Sequence, residues 1–254
     1  MTDTASSAAQ ASLPLFYTNP VPVHAERHKD WKVKQARSFA YAAKTHAVPV
    51  VLDEVPALQA AYPLVFSVGE NPGLVALVGL RADENLFVGE DGTWRQGFPI
   101  PSYVQRYPFI LIEVPDEKRM ILAMEEDAGT VGTDGELALY EDGKATPQGQ
   151  EILNYCMAFN NSAQATQAFC TELQQRGLLI EQRADIVTPG NRRLSLSGFR
   201  VIDEQKFNAL PDEVFLEWRK RNWVGMVYAH LLSLGRWQNL IDMMKDREVP
   251  AAAE

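Results

Sequence analysis

Cysteine is scarce in this chain: 254 residues hold two, Cys156 and Cys170. Both fall in "EILNYCMAFNNSAQATQAFCTELQQRGLL", a stretch with helical patterning. Fourteen positions on one continuous helix separate them by roughly 21 Å, which excludes a disulfide between them. Two packed, free thiols suit a reducing compartment, and a cytoplasmic location is expected. Positive charge is also short, with 24 Lys and Arg against 33 Asp and Glu, a net charge of −9. That balance argues against a nucleic-acid binder driven by phosphate neutralisation and against adsorption to an anionic membrane. No apolar run approaches the length of a membrane helix, so direct membrane insertion is not expected. The opening "MTDTASSAAQASLPLFY" carries neither a basic n-region nor an apolar core of signal-peptide length. Catalytic signatures are missing as well: there is no G-x-S-x-G, no Walker lysine loop and no G-x-G-x-x-G. The acidic turns "VGTDGE" and "GEDG" lack EF-hand spacing. No cofactor or metal is expected.

What is present is an ordinary globular balance, 46% hydrophobic and 22% charged, in a chain long enough to bury a core. Residues 1–14 are small and polar and are expected to be a disordered tail, with a second frayed tail over 246–254. Between them, 15–245 is expected to form one domain, strand-rich over 15–128 and helix-rich over 145–245. "LVFSVG" and "GLVALVGLR" read as strands joined by a turn. "ENLFV" and "TWRQGF" around "GEDG", and "PFILIEV" and "RMILAMEE" around "PDEK", read as two further hairpins. "AVPVVLDEV" reads as a buried strand, "PALQAAYP" as a short helix between prolines, and "PSYVQRYP" as one or two helical turns with Ser102 as cap. "GTVGTDGELALYEDGKATPQG" reads as a long loop. The cysteine-bearing stretch is expected to be two helices broken near "NNS". "LIEQRADIV" and "RRLSLSGFRVI" read as strands, and Asp203 and Pro211 mark helix starts near the end. Strands with hairpin connections followed by helices make this an α+β chain.

The densest concentration of unusual residues is "GTWRQGFPIPSYVQRYPFILIEV", from Gly92 to Val114. Phe109 and Leu111 there read as core. Trp94, Phe98, Tyr103, Arg106 and Tyr107 have two readings. One is packing, because aromatics bury large areas. The other is a groove, because Tyr, Trp and Arg are the favoured anchors of interfaces and the local prolines would hold them rigid. His24 and His28 stand four apart in "HAERHKDW", but in the order H-x-E-x-H and with no third ligand nearby. His28 is therefore expected to make a structural hydrogen bond or to line a cleft. Glu54 and Glu113 end apolar strands, where a buried carboxylate can move a proton. Arg219, Lys220 and Arg221 sit between Trp218 and Trp223, either as a solvated helix end or as a face for an acidic partner. Leu231, Leu234, Trp237 and Leu240 recur at helical spacing, as a core stripe does.

The order of these pieces resembles the SapC family, bacterial proteins linked to surface-layer export. The matching pieces are "HKDWKVK", "AVPVVLDEVPALQAAYPLVFS", "LFVGEDGTWRQGFPIPSYVQRYPFIL", "LYEDGKATPQGQEILNYC", "LSGFRVIDEQKFNALPDE" and "YAHLLSLGRWQNL". Together they span about residues 16–243. The resemblance implies an accessory role beside TonB-dependent receptors and halogenase-like and cupin-like proteins in a cell-surface system. The expected function is an adaptor that binds a protein or peptide-like ligand through His28, Glu54, Trp94, Phe98, Tyr103, Arg106 and Tyr107. The alternative is an enzyme or enzyme subunit acting with a neighbouring oxidoreductase, which requires His28, Glu54 and Glu113 to converge in one pocket. A structural subunit would instead show an apolar face on its last helices and form a homo-oligomer.

Overall fold

A computed structural model describes residues 13–35, 38–114, 119–187 and 193–248. Most of the expected tails and the "PDEK" turn lie outside the described residues. The fold is α+β, with antiparallel sheets and with helices concentrated towards the end.

The principal sheet has five strands: β3 (Ala47–Pro49), β4 (Leu64–Ser67), β5 (Leu74–Leu77), β12 (Leu179–Val187) and β13 (Arg193–Ile202). Their spatial order is β12-β13-β4-β5-β3, every pair antiparallel. The late hairpin β12–β13 thus completes a sheet begun by early strands. Phe199 and Arg200 sit opposite Ser67 and Phe66. Arg200 reinforces this seam by donating to the carbonyls of Ser67 and Gly69. One contiguous core follows, running from Phe39 to Met244, so the strand-rich and helix-rich parts share it. Phe66 of β4 packs on Phe169 of helix α3 (Pro147–Gln175) and on His230 of α6 (Trp223–Ser233), with ring centres 6.4 and 5.1 Å apart.

A second body of structure surrounds the hairpin β6 (Phe109–Val114) and β7 (Arg119–Glu125), to which β1 (Pro20–Pro22) adds an outer strand. Beside it, β2 (Lys32–Val33) lies between β8 (Val131–Gly132) and β9 (Leu137–Ala138). A small hairpin, β10 (Tyr140–Glu141) with β11 (Lys144–Ala145), leads into α3. The stretch expected as one long loop therefore contains four two-residue strands, each held by a partner that sequence alone does not reveal. Phe109, Met124, Val131, Leu139 and Cys156 form the apolar centre here.

Helix α3 ties the two bodies together. Its first half packs on the second core through Ile152 and Cys156, its second half on the main core through Phe169, Cys170 and Leu173. The expected break at "NNS" is absent: α3 runs unbroken for 29 residues. Asn and Ser cost only tenths of a kcal/mol each in a helix, less than the burial of the flanking Phe159, Phe169 and Leu173 supplies. Ser162 and Thr166 are themselves buried, and the Thr166 hydroxyl donates back to the Ser162 carbonyl at 2.6 Å while accepting the Leu52 amide at 2.9 Å.

Other boundaries moved by smaller amounts. "AVPVVLDEV" gives only the three-residue β3 before a 3₁₀ turn at Leu52–Glu54. "ENLFV…TWRQGF" makes a single bridge, Val88 to Trp94. Pro101, not Ser102, holds the cap position of α2 (Ser102–Gln105). The short helix α1 (Val55–Leu58) and α4 (Glu204–Asn208) stand where expected, with Asp203 accepting the Lys206 amide as cap of α4. Pro211 caps α5 (Asp212–Lys220). Helix α7 (Trp237–Glu248) runs into the expected tail, and Arg247 fastens its end by donating to the Val88 carbonyl at 2.6 Å. Among the described residues no helix is long and apolar enough to cross a membrane.

Candidate functional site

The sequence-predicted residues separate in space. Trp94 is buried, stacks on Phe87 and meets Phe39 edge-on, and its indole donates to the Tyr62 hydroxyl at 3.3 Å. Phe98 packs edge-on against Phe87. Both belong to the main core rather than to a groove. Glu54 is a structural acceptor: its carboxylate takes the Ser102 amide at 2.7 Å and the Val51 amide at 3.0 Å. Burial raises its pKa, against the pull of those two amides. His28 is fully buried and both ring nitrogens are engaged. Nδ1 accepts the His24 amide at 2.9 Å, so Nε2 carries the proton and donates to Glu126 at 2.9 Å. The hydrogen bond from His28 is the main reason the Glu126 carboxyl sits below its ordinary pKa. No group of three or more metal-ligating side chains occurs among the described residues. His28 and Glu54 do not line the cavity described next, and Glu113 stands exposed on β6, so the three do not converge there.

Arg106 and Tyr107 do meet at a cavity. It has a volume of about 370 Å³ and lies between β2, the end of α2 and the first half of α3. Its apolar walls include Val33, Phe39, Phe109, Leu137 and Ile152. The polar groups that reach it include Lys34, Gln105, Arg106, Thr130, Gln148 and Glu151. The α3 contribution follows helical spacing: Gln148, Glu151, Ile152, Tyr155 and Cys156 stand at i, i+3, i+4, i+7 and i+8 on one face. Gly149 lets this face approach, since a Cβ there would lie 2.5 Å from the Leu139 carbonyl oxygen.

Arg106 is held by π-faces. Its guanidinium carbon lies 4.4 Å from the Tyr103 ring centre and 4.4 Å from that of Phe159, with Tyr17 at 5.7 Å. No carboxylate among the described residues lies within ion-pairing distance of it. Its Nε and the hydroxyl of Thr130 are buried without a hydrogen-bond partner. Lys34, by contrast, is paired with Asp134 at 2.9 Å. Tyr107 stacks on Tyr41 with ring centres 4.1 Å apart, and Tyr41 donates to the Val104 carbonyl. Tyr103 donates to the Leu15 carbonyl. Burial pushes the Cys156 thiol up to about 11, against the pull of Arg106, so it is not a thiolate nucleophile at neutral pH.

The model of the SapC family matches residues 23–240, most of the chain. The chain belongs to the SapC family. Comparison with curated proteins and with solved structures finds no match. In this SapC chain the match covers the cavity walls from Val33 to Cys156. The α3 face and Thr130 were not anticipated from sequence. The i, i+3, i+4 spacing in "PQGQEILNYC" was the available signal, but its mixed polarity reads as a solvated helix. The remaining concentrations are structural. Trp218 and Trp223 are buried against Phe169, and Arg221 pairs with Glu217. Leu231, Leu234, Trp237 and Leu240 pack on the main core.

Proposed function

We propose that this protein is an accessory or adaptor protein that binds a protein or peptide-like ligand in a bacterial cell-surface transport or modification system. The observation that carries the reading is a positively charged side chain without a carboxylate partner on the wall of a cavity with both apolar and polar lining. Arg and Tyr in that setting combine a large contact area with hydrogen-bonding tips. The cavity volume lies within the range of small-ligand sites and accommodates a short chain segment rather than a folded surface. Family membership supports the cell-surface context, and two buried, unpaired thiols support a cytoplasmic setting.

The test is capture from the native cell with the tagged chain, followed by mass spectrometry. Two variants run alongside: Arg106→Gln, and Gln148→Trp, which adds bulk to the cavity wall from α3. A ligand captured by the wild type and lost from both, with unchanged circular dichroism, is the expected result. Capture that survives both substitutions would reject the cavity as the binding site.

A further inference from the structure

We infer that the cavity is a carboxylate site: its ligand is a monocarboxylate on an apolar or aromatic body. This rests on the proposed ligand-binding function and names the chemistry of the same cavity. Two buried polar groups on its walls lack partners, Arg106 Nε and Thr130 Oγ1. Each is a hydrogen-bond donor, and burying a donor unpaired is costly. Both residues line the cavity, and a ligand oxygen that accepts from either donor relieves that cost.

The charge points to one carboxylate. Arg106 is a fixed cation seated against the Tyr103 and Phe159 rings, 4.4 Å from each ring centre, which restricts its side chain before a ligand arrives. A guanidinium held in this way presents a planar edge that matches a carboxylate. The neighbouring cation, Lys34, is already neutralised by Asp134, and the exposed Glu151 adds negative charge at the wall. One unpaired cation in a cavity also lined by Glu151 favours a singly charged ligand over a doubly charged phosphate, whose second charge adds to the repulsion from Glu151. The apolar walls from Val33, Phe109, Leu137 and Ile152 then take the ligand's body. Two sources share this chemistry: the C-terminal residue of a peptide and a free hydrophobic acid.

Calorimetric titration of the full chain with three probes tests the inference. They are N-acetyl-leucyl-phenylalanine, its C-terminal amide, and 3-phenylpropionate. The expected result is that the acetylated dipeptide acid binds and the amide binds about tenfold or more weakly, the loss set by one charge-assisted contact. Arg106→Lys weakens the acid while preserving the charge, and Thr130→Val weakens the acid, whose oxygen accepts from the hydroxyl. The acid-to-amide comparison is made on the wild-type protein, so it stands even if a variant fails to fold. A dipeptide acid much tighter than 3-phenylpropionate identifies a peptide C-terminus as the source; equal affinities identify a free acid. Equal binding of acid and amide would overturn the carboxylate inference while leaving the ligand-binding function intact. Absence of binding by both acids at millimolar concentration would overturn it too, and the capture experiment judges the broader function separately.

Discussion

Glu125 holds Thr18 by two groups at once: its carboxylate accepts the Thr18 amide at 2.8 Å and the Thr18 hydroxyl at 2.8 Å. It accepts the Asn19 amide at 2.9 Å as well. The segment so fastened carries Phe16 and Tyr17 onto the aromatic group around Arg106, where Phe16 meets Tyr41 and Tyr103 and Tyr17 meets Tyr107.

Removing that clamp should loosen the segment. Glu125→Ala is expected to cost about 2–3 kcal/mol of unfolding free energy, the scale for charge-assisted hydrogen bonds to a buried group. Burial pushes the Glu125 carboxyl up, but the bonds from Asn19 and Thr18 outweigh it and leave the pKa below its ordinary value of 4.5. A depressed carboxylate stabilises the fold above its unfolded pKa and loses that contribution as pH falls through the folded one. Urea unfolding of wild type and Glu125→Ala at pH 7 and pH 3.5 should show a gap that narrows at the lower pH.

His230 makes a second pH dependence at higher pH. Its Nε2 accepts the Ile202 amide at 3.1 Å, and Nδ1 is buried without a partner. Burial pushes its pKa down from 6.5 to about 4. The unfolded chain takes up this proton below about pH 6.5 while the folded chain does not, so stability falls as pH drops from 6.5 towards 4. The full effect is roughly 3 kcal/mol. His230→Gln retains an acceptor for Ile202 and should flatten this part of the stability profile, read from urea midpoints at pH 7, 6 and 5.

Gly149→Ala tests the closeness of α3 to the cavity wall. Alanine would favour the helix by up to about 1 kcal/mol. The added Cβ, however, would lie 2.5 Å from the Leu139 carbonyl oxygen, and separating them is expected to cost about 1–3 kcal/mol. The steric term should win, lowering the melting temperature despite the better helix former. A raised melting temperature would mean that α3 is not held this close to Leu139.

The cysteines give a simple chemical check. Burial pushes Cys156 up to about 11 and Cys170 up to about 12. Neither should react with a thiol reagent such as Ellman's at pH 7.5 on the minute scale, and both should react in 6 M urea. Rapid modification of Cys156 alone in the native chain would show that the cavity admits reagents as far as that thiol.

The hairpins β4–β5 and β6–β7 were legible because apolar runs bounded by turn residues specify antiparallel pairs locally, and β12 and β13 were legible as strands. The single helix α3 was not, because the residues that favour a break, Asn160, Asn161 and Ser162, are overruled by packing of Phe159 and Phe169 and by the Thr166 bond to Leu52. The aromatic stretch was half legible. Its composition pointed to Arg106 and Tyr107, which reach the cavity, but equally to Trp94 and Phe98, which do not. A side chain's type shows that it can anchor; which way it faces depends on Tyr62, Phe87 and Phe39, distant in sequence or across a turn. Thr130 and the α3 face needed tertiary structure, since their partners come from other elements.

The seam between β13 and β4 sets a timetable for synthesis. Arg200 and Ser67, joined across it, are 133 residues apart in the chain. At ordinary ribosomal rates that interval lasts roughly 7 to 27 s. Once β5 is made, β4 can pair with it, but the other edge of β4 stays open until β13 arrives, and Phe66 lacks Phe169 until α3 is made and His230 for the whole interval. The emerging chain therefore carries a sticky strand edge until its last quarter is made, and truncations that stop before Arg193 should aggregate rather than fold.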